Sequence, residues 1–324
     1  MYTDRALNSM SPPFVNTMMS LNETLKSTYN ADKAVLIPGS GTYSMEAVAR
    51  QFTVGTKTKP VVVRNGWFSF RWTEIFESMG IGEEDHVYHM ADQVNDFPQQ
   101  YAPRDIDAVV DSILKEKPPA VFAPHIETST GIMLSDDYIM KLSEAARSVD
   151  AIMVLDCIAS GTCWVDMKKL GIDVVISAPQ KGWSGPAAVG LAMLSEKAYD
   201  RMMTGPESNS FCVNLKKWSG MMQLYEAGGF GYHTTMPTDA IRDFQIVADH
   251  QKTIGLDKLC DAQYEMGAKA RAMFESKGLT SVAAPGFAAP GVLVYHSPEG
   301  NDNPTMVSEE ALSPFLLFIF SPCP

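Results

Sequence analysis

The chain of 324 residues contains no run of 18 apolar residues, so no segment has the length to span a bilayer as a helix. It also lacks a basic surplus. Its 26 lysines and arginines stand against 38 acidic residues, a formal net charge of −12, with no basic run. Nucleic-acid binding therefore has little electrostatic support. Cysteine is sparse and scattered: Cys157, Cys163, Cys212, Cys260 and Cys323 form no Cys-x-x-Cys pair. Neither a disulfide framework nor a thiolate zinc site is indicated, and no other cluster suggests a metal. The N-terminus has no basic region followed by an apolar core, so no secretory signal is read and a reducing, cytoplasmic compartment is expected.

Apolar residues make up 45% of the chain, enough for a sizeable core. Short β-branched runs at 61–63, 87–89, 120–124, 151–156 and 174–176 read as strands. Between them, 46–52, 72–79, 106–115 and 138–149 read as helices. In the third, Val109, Val110, Ile113 and Leu114 recur at helical spacing. This alternation favours an α/β fold with a mostly parallel, doubly wound sheet. The run 187–194 can join the sheet, 239–252 and 256–276 are long helix candidates, and 292–295 is a strand candidate. The stretch 313–324, Ser-Pro-Phe-Leu-Leu-Phe-Ile-Phe-Ser-Pro-Cys-Pro, is apolar, flanked by prolines and without polar alternation. It reads either as a buried terminal strand or as an end that departs from the design of the rest.

Five places carry chemistry. Asp173-Val-Val-Ile-Ser-Ala-Pro-Gln-Lys181-Gly-Trp-Ser-Gly-Pro puts a lysine just past a buried strand, in a Gly/Ser/Pro-rich loop. A surface charge is oddly placed there, whereas an amine that forms a Schiff base is well placed. Ile152-Met-Val-Leu-Asp156 ends the preceding strand in a carboxylate, which alone could cap a helix or a turn. Together, Lys181 and Asp156 fall at the ends of consecutive strands and so on one edge of the sheet. A lysine for an aldehyde and an aspartate for a pyridinium nitrogen are the groups pyridoxal phosphate (PLP) chemistry needs.

Pro38-Gly-Ser-Gly-Thr-Tyr-Ser follows the apolar run 34–37 and opens a helix. Ser40, Gly41 and Thr42 can cradle a phosphate on the helix N-terminus, or form an ordinary capped turn. The segment is neither Gly-x-Gly-x-x-Gly nor Gly-x-x-x-x-Gly-Lys-Ser/Thr, so dinucleotide and nucleoside-triphosphate readings fail there. His125-Ile-Glu-Thr-Ser-Thr-Gly131 follows the strand at 120–124, where open sheets bind ligands. Ser129 can donate to a ligand oxygen, Glu127 can cap the following segment, and His125 reads more readily as a core histidine than as a stacking ring. Asn65-Gly-Trp-Phe-Ser-Phe-Arg-Trp72 packs aromatics where a loop is expected. At most one of them faces a planar ligand, and the rest pack beneath the loop.

Gly-Ser-Gly-Thr (39–42), Asn-Gly-x-Phe (65–68), His-x-Glu-Thr-Ser-Thr-Gly (125–131), Asp156 and Ser-x-x-Gln-Lys (177–181) stand in the order and spacing of class V PLP-dependent aminotransferases. Over roughly residues 8–290 the chain resembles their alanine–glyoxylate and serine–pyruvate branch. The resemblance implies fold type I: a large PLP domain, 1–250, and a smaller C-terminal α/β domain, 251–324, altered or incomplete at its end. It implies a homodimer with shared active sites, acting on a small amino acid and a 2-oxo acid such as glyoxylate or pyruvate. By the same likeness Lys181 forms the Schiff base and then moves the Cα proton, and Asp156 pairs with the pyridine nitrogen. Phe68 stacks on the ring where relatives often carry Trp, and Ser129 lies near the phenolic oxygen. Ser40, Gly41, Thr42 and Gln180 belong to the phosphate site. Gly231-Tyr-His-Thr-Thr-Met-Pro resembles the segment that reaches across the dimer, so Tyr232 and Thr235 would serve the neighbour's cofactor.

The chain departs from that pattern in two places. It starts just inside the Gly-Pro-rich segment that lines the family's substrate site, and it has no arginine after Arg271, where the family's substrate-carboxylate arginine stands in an Arg-x-Gly context. Alongside aminotransfer, two readings therefore stay open: another PLP reaction, of lyase or desulfurase type, and an inactive truncated paralogue that keeps the cofactor site.

Overall fold

The structure, a computed structural model, describes residues 7–96 and 98–296. The stretch 313–324 and Cys323 lie outside the described residues. Chain order runs α1 (Pro12–Tyr29), β1 (Lys33–Pro38), α2 (Gly41–Thr53), β2 (Val61–Arg64), α3 (Trp67–Ser78) and β3 (Val87–Met90). A short hairpin, β4 (Asp92–Gln93) and β5 (Tyr101–Ala102), precedes α4 (Ile106–Glu116), β6 (Ala120–Pro124), α5 (Asp136–Ser148) and β7 (Ile152–Asp156). Then come α6 (Met167–Leu170), β8 (Val174–Ser177), β9 (Val189–Leu194), α7 (Glu196–Thr204) and α8 (Leu215–Glu226). The described chain closes with α9 (Thr238–Ile254) and α10 (Leu256–Ser276), separated by Gly255 at φ 104°. No helix among the described residues is long and apolar enough to cross a membrane.

Seven strands form one sheet in the order β1-β9-β8-β7-β6-β2-β3. The pairs from β3 to β8 are parallel, and β9 runs antiparallel to both β1 and β8. Hence β1, β2, β6, β7 and β8 all end at one edge. Helices cover both faces, so every residue of β6, β7, β8 and β9 is buried. That burial is why these strands appear in the sequence as unbroken apolar runs rather than alternations. The run at 187–194 does join the sheet, as β9. From β2 the chain goes to β3 on one side and later to β6 on the other. The sheet therefore reverses its winding between β2 and β6, which opens a crevice at the strand ends.

Two expectations need correcting. The aromatic segment at 65–72 is not a loop: α3 begins at Trp67, five residues ahead of the expected start at 72. The segment at 292–295 is not a continuous strand; it makes isolated bridges at Leu293 and Tyr295, the latter to Ser281, and Val294 O accepts from the Val282 amide. The early start of α3 has a cause outside its own sequence. The Glu127 carboxylate, from the loop after β6, accepts from the Phe68 and Ser69 amides at 3.1 and 2.9 Å. It caps the Phe68 and Ser69 amides, and the local Ser69 hydroxyl accepts only from the Gly66 amide, at 3.1 Å.

Candidate functional site

Three loops hold the chemistry-bearing residues at the strand ends. β1 leads through Gly39, at φ 130°, into Ser40 and α2. Ser40 sits at the N-cap in extended conformation, with no side-chain cap bond. Its hydroxyl is not used by the helix, and the first amides of α2, from Gly41 and Thr42, have no intrahelical partner. β7 ends at Asp156, in register with Pro124 of β6 and Ile176 of β8. β8 ends at Ser177, and a tight turn carries Lys181: its amide donates to Ala178 O, and the Ser184 amide donates to Lys181 O at 3.0 Å.

That turn is anchored from both sides. Trp183 is fully buried against Trp164 at a ring distance of 4.5 Å and against Phe244 at 5.9 Å. Gln251 of α9 donates to Gly182 O at 3.1 Å. A Cβ on Gly182 would lie 1.7 Å from Gly161 O, so only glycine lets the turn approach the loop after Asp156 this closely. Lys181 itself is exposed, and among the described residues its ammonium has no ion pair or hydrogen-bond partner.

A cavity of about 160 Å³ brings these pieces together. Ser40, Gly41, Thr42, Phe68, Asp156, Gln180 and Lys181 all line it, with Arg71, Ile126, Thr128 and Ile158 completing its walls. Asp156 is nearly inaccessible and accepts one hydrogen bond, from the Ile158 amide at 2.9 Å. Burial pushes its carboxyl up to about 7. The Ile158 hydrogen bond opposes that rise, Glu127 adds to it and Arg71 opposes it. A carboxyl in this state is short of a cationic partner, which a protonated ring nitrogen would supply. The Gln180 side-chain oxygen is also buried with no partner. The donor this side chain has for an anion in the cavity is its NH₂ group. The partner-short carboxyl suits a cationic ring nitrogen, and the free amides at the start of α2 suit a phosphate.

Ser129, Tyr232 and Thr235 are not among the cavity's lining residues. Ser129 is tied to the start of α3: its hydroxyl donates to Glu127 at 2.8 Å and accepts from the Trp67 amide at 2.8 Å. Tyr232 is 69% exposed, and Thr235 is exposed too. His125 is a core histidine. Its Nδ1 meets Ser160 Oγ at 2.8 Å, and burial lowers its pKa to about 4, so it is neutral at physiological pH. A larger open groove between α1 and α8 holds the Lys26–Glu226 ion pair and none of the chemistry-bearing residues.

Two residues do more than the sequence reading gave them, and for the first that reading was only a cap for the following segment. Glu127 is fully buried and accepts five hydrogen bonds, from the Phe68 and Ser69 amides, the Ser69 hydroxyl, and the Ser129 amide and hydroxyl. It fixes the start of α3 and with it the placement of Phe68. Glu127→Ala leaves several buried donors unpaired and is expected to cost about 2–4 kcal/mol, with Glu127→Gln costing less. Urea midpoints would show this, and an unchanged midpoint in Glu127→Ala would refute the capping role. Arg71 is the second. It becomes visible once α3 is known to start at Trp67, because Phe68 and Arg71 then stand three residues apart on one helical face.

A lysine and a buried carboxylate facing one cavity, at the switch point of a mostly parallel sheet, define an α/β enzyme that works through a carbonyl-bearing cofactor or substrate. The aminotransferase class-V family model matches residues 3–287, and the chain belongs to that family. It is 27% identical over 303 residues to a serine–glyoxylate aminotransferase from Hyphomicrobium methylovorum, spanning 90% of this chain and 70% of that one. It is 24% identical over 274 residues to alanine–glyoxylate aminotransferase 1 of Saccharomyces cerevisiae, spanning 81% and 68%. Among solved structures, a Nostoc alanine–glyoxylate aminotransferase superposes with a TM-score of 0.79 at 16% identity, covering 91% of this chain and 75% of that one. A Bacillus subtilis ureidoglycine–glyoxylate aminotransferase gives 0.78 at 22%, covering 92% and 73%. The fold is that of fold type I transferases.

Proposed function

We propose that this protein binds PLP in the cavity and transfers an amino group from a small amino acid, of alanine or serine type, to a 2-oxo acid such as glyoxylate or pyruvate. The observation that carries the reading is the unpaired Lys181 ammonium sharing one cavity with the buried, partner-short Asp156. The named activities of the serine– and alanine–glyoxylate relatives support the substrate class.

When bound, PLP supplies an electrophilic carbonyl and an electron sink. Lys181 Nζ would be the amine that holds that carbonyl and the group that carries a proton to and from the substrate Cα. Asp156 holds the proton on the ring nitrogen. Phe68, on the first turn of α3, covers one face of the ring and excludes water from it. The Ser40 hydroxyl, the Gly41 and Thr42 amides and the Gln180 side chain hold the phosphate at the positive end of α2. Ser129 remains a candidate for the phenolic oxygen, for which its hydroxyl would release Glu127.

Tyr232 and Thr235 serve the phosphate of a second copy, in a homodimer with shared sites. Their exposure outside their own chain's cavity supports that assignment. We assign residues 1–250 to a large cofactor domain and 251–324 to a smaller one. The desulfurase alternative needs a mobile, reactive cysteine. Cys157 and Cys163 are buried, with both thiols pushed well above their ordinary value by burial, and the more accessible Cys212 and Cys260 are not among the cavity's lining residues. The test is direct. Protein loaded with PLP is given alanine or serine, then glyoxylate, and glycine formation is measured together with the cofactor's visible band. Glycine and a donor-dependent loss of the band are expected. A band that responds to no amino donor would refute the proposal.

A further inference from the structure

The Arg71 guanidinium is out of keeping with its surroundings. It is half-buried on α3 and lines the cavity. Its Nη1 donates to Thr42 Oγ1 at 3.3 Å, and its plane lies 5.2 Å from the centre of the Phe68 ring. Among the described residues no carboxylate pairs with it; Arg64, Arg147 and Arg271 also lack one, but of these four only Arg71 lines the cavity. Asp156 feels its charge across the cavity without touching it.

Its single hydrogen-bond partner makes the position stranger. Thr42 stands on the first turn of α2, where free amides already present roughly half a positive charge. A guanidinium beside that end is repelled by it unless an anion lies between them. The cavity lies beside that contact, and Thr42, Arg71 and Gln180 all line it, leaving room there for an anion that all three can reach.

We infer that Arg71 is a phosphate-binding residue of this site. With the first turn of α2 and Gln180 it supplies the full positive charge that amides alone do not. This rests on the PLP reading above. The ligand is a phosphate monoester rather than the substrate's carboxylate, because the guanidinium is bound to the helix end of the cavity, through Thr42. Its planar donor fork matches two phosphate oxygens, and Phe68 braces its face. The same helix thus provides the ring's cover and the phosphate's countercharge, three residues apart.

The test uses cofactor-free full-length protein and two probes, PLP and pyridoxal, which lacks the phosphate. Binding is followed by quenching of tryptophan fluorescence, in the wild type, Arg71→Gln and Arg71→Lys. The expected result is a PLP affinity lowered about 10–100-fold in Arg71→Gln, partly restored in Arg71→Lys, with pyridoxal binding unchanged. Equal loss for both probes would mean a structural role and would overturn the inference. So would unchanged PLP affinity, including the case where only the half-saturating amino-acid concentration rises, which would assign Arg71 to the substrate carboxylate. If the wild type takes up no PLP, the functional reading fails as well. If the wild type binds PLP and Arg71→Gln binds it equally, only the inference fails.

Discussion

Lys181→Ala is expected to lower amino-group transfer by at least about 10³-fold while leaving the fold intact. The size follows from the two tasks lost together, since a positioned acid–base group alone contributes roughly 10²–10⁴-fold and covalent attachment is lost as well. The fold should survive because the Lys181 side chain is exposed and makes no ion pair or hydrogen bond among the described residues. The turn that carries it is held instead by Trp183 and by the Gln251 bond to Gly182. Melting temperature and turnover should be measured on the same preparation. An unchanged melting temperature with lost turnover, and no visible band from lysine-bound cofactor, is the expected pair. Turnover within tenfold of the wild type would remove Lys181 from the reaction.

Asp156→Asn is expected to stabilise the cofactor-free protein and damage the loaded one. Burial raises the Asp156 carboxyl to about 7, against roughly 3.9 in an unfolded chain. Between those values the folded protein holds a proton that the unfolded chain has released. Stability therefore falls as pH rises from about 4 to about 7, and the whole cost, on the order of 2–4 kcal/mol, is present above pH 7. Asparagine carries no charge and escapes this. The advantage of Asp156→Asn over the wild type should grow by roughly 1–3 kcal/mol between pH 5 and pH 8 in urea denaturation. A pH-independent difference would show that Asp156 is not the group responsible. Loading with PLP should reverse the ranking, because only the carboxylate gains a cationic partner, and turnover of Asp156→Asn should fall by about 10²-fold or more. The native residue is thus a liability to the empty protein that makes sense only with a ligand in place.

Much of this architecture could be read from the chain. The runs at 120–124 and 174–176 mark β6 and β8 because both sheet faces are covered, so burial leaves no alternation to obscure them. Lys181 and Asp156 were legible for the same reason, each placed by the end of an apolar run. α3 was misread because its cap comes from Glu127, some sixty positions away, and no local pattern announces a cap delivered by tertiary contact. That error hid Arg71, whose partnership with Phe68 depends on the true helix start. α1 went unread despite Ser11 followed by Pro12 and Pro13, a start signal in its own right. The services proposed for Tyr232 and Thr235 belong to a second copy, so no single chain displays them.

The placement of β1 also bears on how this protein is made. Lys33 pairs with Leu194 and Pro38 with Val189, and among the described residues β9 is the only neighbour β1 has in the sheet. At ordinary translation rates Leu194 emerges roughly 8–30 s after Lys33. During that interval Val35, Leu36 and Ile37 are finished but unpaired, an apolar strand with both edges open. The N-terminal part of the catalytic edge, including the turn that leads into α2, is therefore among the last to be completed on the ribosome, and a nascent chain stalled before residue 189 presents a sticky strand for chaperones to shield.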